Sequence, residues 1–304
     1  MALSQITVAA AIKQRPLTIR PDERLDIALS IMTSCRFRHL PVVEEEKLLG
    51  VLSLRDIYRA DLSHVTAGEG TRARHLRSIE VRRAMTPDPL TAPPDTTLLV
   101  AAHTLTRRRV SCLPIVDHGR LTGIITSTDF LEPAARALEV EGGPSGTPIT
   151  VNRVMTHSPL ESVAPDDPLD VAHALMRAAR IRHLPVVDRG RVIGILSDLD
   201  LLAADGAALP DSNHVAERLS ARHALTVADA MTPRPITIGP EEPAPEAARL
   251  LARRRFGALP VLAGGKLVGI VTVSDFFYAL LATEDLPRRG TPMHGGAIAG
   301  SVRP

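Results

Sequence analysis

Tryptophan is absent from this 304-residue sequence and aromatic residues make up only 2% of it, so the core has to be packed from aliphatic side chains. The same scarcity removes the stacking platforms on which single-stranded nucleic acids are held. Two cysteines cannot form a disulfide framework, and no Cys/His spacing resembles a zinc site, which points to a reducing compartment, the cytoplasm. No stretch approaches the ~20 apolar residues of a membrane span, and the amino terminus lacks the pattern of a signal peptide. No membrane attachment is expected. Charge of one sign is also missing: 36 Lys and Arg against 34 Asp and Glu leave +2, too little for a nucleic-acid-binding surface.

What is present is repetition. Leu-Pro followed by two apolar residues occurs at Leu40-Pro41, Leu113-Pro114, Leu184-Pro185 and Leu259-Pro260, at spacings of 73, 71 and 75 residues. Nine residues after each proline stands a glycine (Gly50, Gly123, Gly194, Gly269) and six later an aspartate (Asp56, Asp129, Asp200, Asp275). Three residues before each aspartate is a hydroxyl: Ser53, Thr126, Ser197 and Thr272. Upstream, Pro-Leu-Thr at 16–18 and 89–91, Pro-Leu-Glu at 159–161 and Pro-Ile-Thr at 235–237 open each unit 25 or 26 residues before the Leu-Pro proline. Four ordered sets of this kind identify a repeat protein.

Within a repeat, Leu25, Ala28, Leu29, Met32 and Cys35 recur at helical spacing and predict one apolar stripe. Asp22, Asp95 and Asp166 read as helix starts. The segments from PVVEEEKLLGVLS to PVLAGGKLVGIVT read as hairpins, giving strand, helix, strand, strand, helix. A unit of ~60 residues buries too little apolar surface to stand alone and is expected to pair. RHLPVV occurs only in repeats 1 and 3, and Asp-Phe ends the motif only in repeats 2 and 4 (Asp129-Phe130, Asp275-Phe276). The pattern is a duplicated two-repeat module, joined by a Gly- and Pro-rich linker within 139–148.

These motifs, together with V-x-x-x-M-T openings at Val81 to Thr86, Val151 to Thr156 and Val227 to Thr232, resemble the cystathionine β-synthase (CBS) domain family. Repeat 1 departs from them with Ile12-Lys13. The expected fold is α/β: four β-α-β-β-α repeats at 1–62, 78–137, 150–204 and 222–283, a linker at 138–149 and a flexible tail at 284–304, paired into two pseudo-twofold Bateman modules. The resemblance implies clefts that take AMP, ADP, ATP or S-adenosylmethionine, with no catalytic cofactor. It assigns ribose and phosphate contacts to Ser53, Asp56, Thr126, Asp129, Ser197, Asp200, Thr272 and Asp275, and phosphate contacts to Arg38, His39, Arg182 and His183. It also implies a homodimer or an intramolecular pairing of the two modules.

Each position has a plainer reading. The glycines and Leu-Pro pairs suit strand and turn architecture, each motif aspartate suits a helix cap, and Arg38 and Arg182 suit solvated helix ends. Cys35 and Cys112 read as small core residues, and no histidine spacing suits a metal. The repeats consume the chain, leaving no room for the catalytic domain that such modules regulate in enzymes. The expected function is therefore a non-enzymatic sensor of adenosine nucleotides acting on an unidentified regulated protein. The alternative is an interaction scaffold whose clefts bind nothing.

Overall fold

A computed structural model of the chain describes residues 3–12, 15–35, 37–67, 72–140, 149–207 and 225–285. The middle of the expected linker, 141–148, the stretch 208–224 and the tail from 286 onward lie outside the described residues.

Each repeat places a helix, a hairpin and a second helix in the expected order. In repeat 1 these are α1 (Leu25–Cys35), β1 (His39–Glu44), β2 (Lys47–Ser53) and α2 (Leu54–Ala67). Repeat 2 has α3 (Leu98–Arg108), β3 (Cys112–Asp117), β4 (Arg120–Thr126) and α4 (Leu131–Val140). Repeat 3 has α5 (Leu169–Ala179), β5 (His183–Asp188), β6 (Arg191–Ser197) and α6 (Asp198–Ala207). Repeat 4 has α7 (Ala244–Arg254), β7 (Ala258–Ala263), β8 (Lys266–Thr272) and α8 (Val273–Asp285). The first strand of each repeat is reduced to one parallel bridge onto the hairpin, at Ile19–Val42, Ala92–Ile115, Val163–Val186 and Ile238–Val261.

Two expectations are corrected. The helices begin about one turn later than Asp22, Asp95 and Asp166. Asp22 instead accepts from the Arg20 guanidinium at 2.7 Å, and Thr97 caps α3 by accepting from Val100 N–H. Asp and Pro close the turn before the helix, which begins three residues after the aspartate, at Leu25, Leu98 and Leu169. Leu25, Ala28 and Met32 are buried in the repeat 1 core and Leu29 packs on it, but Cys35 is exposed. Cys35 keeps the spacing of the stripe but, as the last residue of α1, lies beyond the end of the core.

The opening segments are exchanged within each module. Thr86–Pro87 pairs with β2 of repeat 1, Thr156–His157 with β8 of repeat 4, and Thr232–Pro233 with β6 of repeat 3. The repeated glycine makes this possible. A Cβ on Gly50 would lie 2.6 Å from Met85 Sδ and 2.8 Å from the Thr86 carbonyl, too close for any side chain. Gly194 and Gly269 face Met231 and Met155 in the same way, and Gly123 faces Ile12, so isoleucine fills the methionine slot where the opening departs from the motif.

The apolar cores do not follow the module boundary. Repeats 1 and 3 keep separate cores, whereas repeats 2 and 4 share one. There α4 lies on α7 and α8 with Ala134, Ala135, Ala247 and Ala248 all at 0% exposure, small residues that let the helix backbones approach. Phe130 and Phe277 meet edge to face across this junction at 5.0 Å. At the other side α2 packs against α6, and the contact carries an ion pair between Arg55 and Asp198.

Candidate functional site

The hydroxyl-x-x-Asp motif lies where the hairpin ends and the second helix begins, and all four copies fold alike. In repeat 1 the Ser53 N–H and hydroxyl both donate to Asp56 Oδ2, at 2.9 and 2.6 Å. Thr126 and Asp129 (2.6 and 2.8 Å), Ser197 and Asp200 (2.8 and 2.7 Å) and Thr272 and Asp275 (both 2.7 Å) repeat it. The capping reading is thus realised in every repeat. These bonds fall on Oδ2 alone, so the cap does not occupy Oδ1. In repeat 2 a 3-10 turn, Ser127–Phe130, intervenes before the helix, and the Thr126 hydroxyl also meets that of Thr128 at 2.7 Å.

The residue two before each Leu-Pro pair is brought to the same helix end by a backbone bond. Leu54 N–H donates to Arg38 O at 2.9 Å and Asp198 N–H to Arg182 O at 3.0 Å. Repeats 2 and 4 use Ser111 O and Gly257 O for the same purpose. Two N–H donors of this helix end are used internally, since Leu54 N–H is taken by Arg38 O and Asp56 N–H by Ser53 Oγ. What the junction offers to an anion is mainly guanidinium.

The four motifs open on one connected cavity of about 2520 Å³. Arg38, His39, Ser53, Thr126, Asp129, Arg182, His183, Ser197, Asp200 and Thr272 line it. Asp56 and Asp275 stand behind their hydroxyl partners. Burial is the main cause that raises the pKa of Asp275, against the lowering effect of hydrogen bonds from Thr272 and from Thr156 of the exchanged opening.

The uneven distribution of Arg and His has a steric cause. His39 Nε2 lies 2.8 Å from Ser111 Oγ, and the His183 ring lies so close over Gly257 that no Cβ would fit there. Across each pseudo-twofold axis the histidine of one repeat covers the position where its partner would otherwise carry the arginine. One member of the pair must be small. Both rings are pushed down to a pKa of about 4, first by burial and then by Arg38, with Arg182 adding to the effect at His183. They enter the cavity as neutral rings. Arg38 keeps solvent contact inside the cavity, yet protein surrounds it. Desolvation lowers its pKa, Asp200 opposes this, and Arg182 of the other module adds to it.

Several residues around the cavity carry no sequence motif. Arg55 and Asp198 pair across the modules, and each departs from its equivalents: Thr128, Leu199 and Ser274 for the first, Leu54, Ser127 and Val273 for the second. Arg255 reaches from repeat 4 to repeat 1, where its Nη1 donates to Cys35 O at 3.0 Å and its guanidinium lies 5.5 Å from the Phe37 ring centre. Burial and the nearby Asp56 raise the pKa of the Cys112 thiol to about 12, which keeps it protonated and inert. Among the described residues no His, Cys, Asp or Glu cluster could hold a metal, and no helix is long and apolar enough to cross a membrane.

Comparison with known proteins agrees with this architecture. The CBS domain model matches residues 8–63, 80–135, 151–206 and 227–282. A CBS domain-containing protein of Dictyostelium discoideum is 39% identical over 136 residues, which cover 44% of this chain and 92% of that protein. The inosine-5'-monophosphate dehydrogenase of Korarchaeum cryptofilum is 35% identical over 118 residues, 38% of this chain but only 21% of the enzyme. The crystal structure of protein MJ1225 from Methanocaldococcus jannaschii shares the fold with a TM-score of 0.71 at 21% identity, covering 90% of this chain and 99% of that one. With all four repeats matched, openings included, the chain belongs to the CBS domain family.

Proposed function

We propose that this protein is a non-enzymatic, cytoplasmic regulator that binds an adenosine-containing nucleotide (AMP, ADP, ATP or S-adenosylmethionine) between its paired repeats. The observation that carries this reading is that the four motif hydroxyls, Asp129, Asp200 and a set of arginines line one cavity. Asp129 and Asp200 line it with an oxygen outside the cap, and a carboxylate oxygen accepts ribose hydroxyls well. Arg38 and Arg182 supply charge for phosphate, while His39 and His183 supply a ring nitrogen. The readout is expected to be a change in how the modules meet.

Thermal denaturation with AMP, ADP, ATP, S-adenosylmethionine and adenosine tests this directly. A ligand at 100 times its dissociation constant stabilises the folded state by about 2.7 kcal/mol, and at least one compound is expected to do so. The scaffold reading gains from one specific observation: every motif hydroxyl already donates to its own aspartate. If none of these compounds moves the melting curve at millimolar concentration, the scaffold reading replaces the sensor.

A further inference from the structure

The junction between repeats 1 and 3 gathers three arginines, Arg38, Arg55 and Arg182, near three carboxylates, Asp56, Asp198 and Asp200. Arg38 and Arg55 come from repeat 1 and Arg182 from repeat 3, and all three line the same cavity. Arg55 feels both Arg38 and Arg182, with Arg59 close behind, and Arg38 feels Arg182. Among the described residues neither Arg38 nor Arg182 has a side-chain hydrogen bond or ion pair. Asp56 and Asp200 are near but are held in their caps. Arg55 alone is paired, to Asp198, with side-chain exposures of 32% and 25%.

Asp198 is in an unusual place for a carboxylate. It is the first residue of α6, directly after the motif hydroxyl Ser197, and faces the cavity. Its equivalents Leu54, Ser127 and Val273 are uncharged. Arg55 and Asp198 are therefore the two departures from the repeat pattern at these helix ends, of opposite sign, and they meet each other. The equivalent positions at the repeat 2–repeat 4 side carry no such pair.

We propose that Asp198 is a built-in competitor at the phosphate position read above for Arg38 and Arg182: it holds Arg55 in the unliganded protein and gives it up to a polyphosphate chain that spans Arg38, Arg55 and Arg182. An arriving polyphosphate exchanges one carboxylate for several phosphate oxygens on Arg55 and places charge between Arg38 and Arg182, which otherwise repel. Charge-assisted contacts of guanidinium to phosphate are the strong class of hydrogen bond, and here they draw on both modules at once. The site thus links occupancy to the fit of repeat 1 against repeat 3. Phosphate at Arg38 and Arg182 rests on the reading above; the part taken by Arg55 and Asp198 rests on their own pair.

Calorimetry with ATP, adenosine and inorganic tripolyphosphate on the full chain, its Asp198→Asn variant and its Arg55→Gln variant tests this. Asp198→Asn is expected to tighten ATP and tripolyphosphate by about 5- to 10-fold and leave adenosine unchanged, because it removes the competitor and keeps the side-chain shape. Arg55→Gln is expected to weaken both anions by at least about 10-fold, again sparing adenosine. Without ligand, Asp198→Asn should melt lower than the parent in low salt, with tripolyphosphate restoring it. If Asp198→Asn does not fold, the Arg55→Gln result decides. Unchanged or weaker anion binding in Asp198→Asn, or unchanged anion binding in Arg55→Gln, overturns the proposal. Tripolyphosphate binding without adenosine binding leaves the anion site standing and removes the adenosine reading. Equal binding of ATP and adenosine with no response to tripolyphosphate does the reverse, and no binding of any of the three removes both.

Discussion

The two helix junctions between the modules are built from opposite materials. Repeats 2 and 4 are joined by a shared apolar core in which four alanines are fully buried and Phe130 packs on Phe277. Repeats 1 and 3 meet through arginines that face one another and, among the described residues, the Arg55–Asp198 ion pair, each repeat keeping its own core. Apolar burial gains from area and is indifferent to what is dissolved in the cavity. Opposed charges depend on what lies between them. The contrast assigns a permanent joint to one side of the molecule and a ligand-responsive one to the other.

The largest expected effect is at the apolar joint. Phe130 is 1% exposed, and Phe130→Ala should cost about 3–5 kcal/mol, as large-to-small changes at buried aromatic positions do. Urea denaturation would measure it, and a loss below about 1 kcal/mol would show that repeats 2 and 4 are not joined as described.

A smaller effect belongs to the other side and appears with pH. The rings of His39 and His183 have pKa values of about 4 in the folded chain, against about 6.5 when unfolded. Unfolding therefore takes up protons between these values. Each ring contributes stability that is complete above pH ~6.5 and is lost as the pH falls toward 4, on the order of 2–3 kcal/mol per histidine. Around His39 stand Arg38, Arg55 and Asp56, and around His183 stand Arg38 and Arg182. Melting temperature should fall steeply below pH 6.5, less so in His39→Gln, which can still bond Ser111. An identical slope in parent and variant would remove His39 from this account.

The smallest effect separates charge at the two junctions. Arg249 on α7 reaches Glu139 on α4 at 2.7 Å and Glu246 on its own helix at 3.1 Å, ion pairs at the exposed rim of the apolar joint. Arg249→Ala should cost no more than about 1 kcal/mol and should leave nucleotide and tripolyphosphate binding as they were. A larger loss, or altered anion binding, would mean that charge holds both sides and the contrast fails.

Repeat number, order of elements and pairing in twos were legible because every copy carries the same turn, glycine and cap residues, and local chemistry repeats wherever its sequence does. The asymmetry was legible too, though its meaning was not. Asp-Phe in repeats 2 and 4 marks the repeats whose Phe130 and Phe276 lie in the shared core. RHLPVV in repeats 1 and 3 marks the histidines that cover Ser111 and Gly257. The glycines read as strand architecture, and their actual constraint, a methionine or isoleucine delivered by the partner repeat, comes from a segment about 35 residues away in the case of Gly50 and Met85.

The sequence by itself determined four capped helix ends, four hairpins and an aliphatic core, because caps, turns and periodicity act over a few residues. Only the tertiary structure decided that Arg55 faces Asp198, 143 positions away, that Arg255 seats on Phe37, and that three arginines share one cavity. Charge pairing of this kind depends on which helix ends the packing of two modules brings together, and packing is set by the apolar joint on the far side of the molecule. A carboxylate after a serine is, in sequence, one more helix-capping acid; across a junction it becomes the counter-charge of the other module.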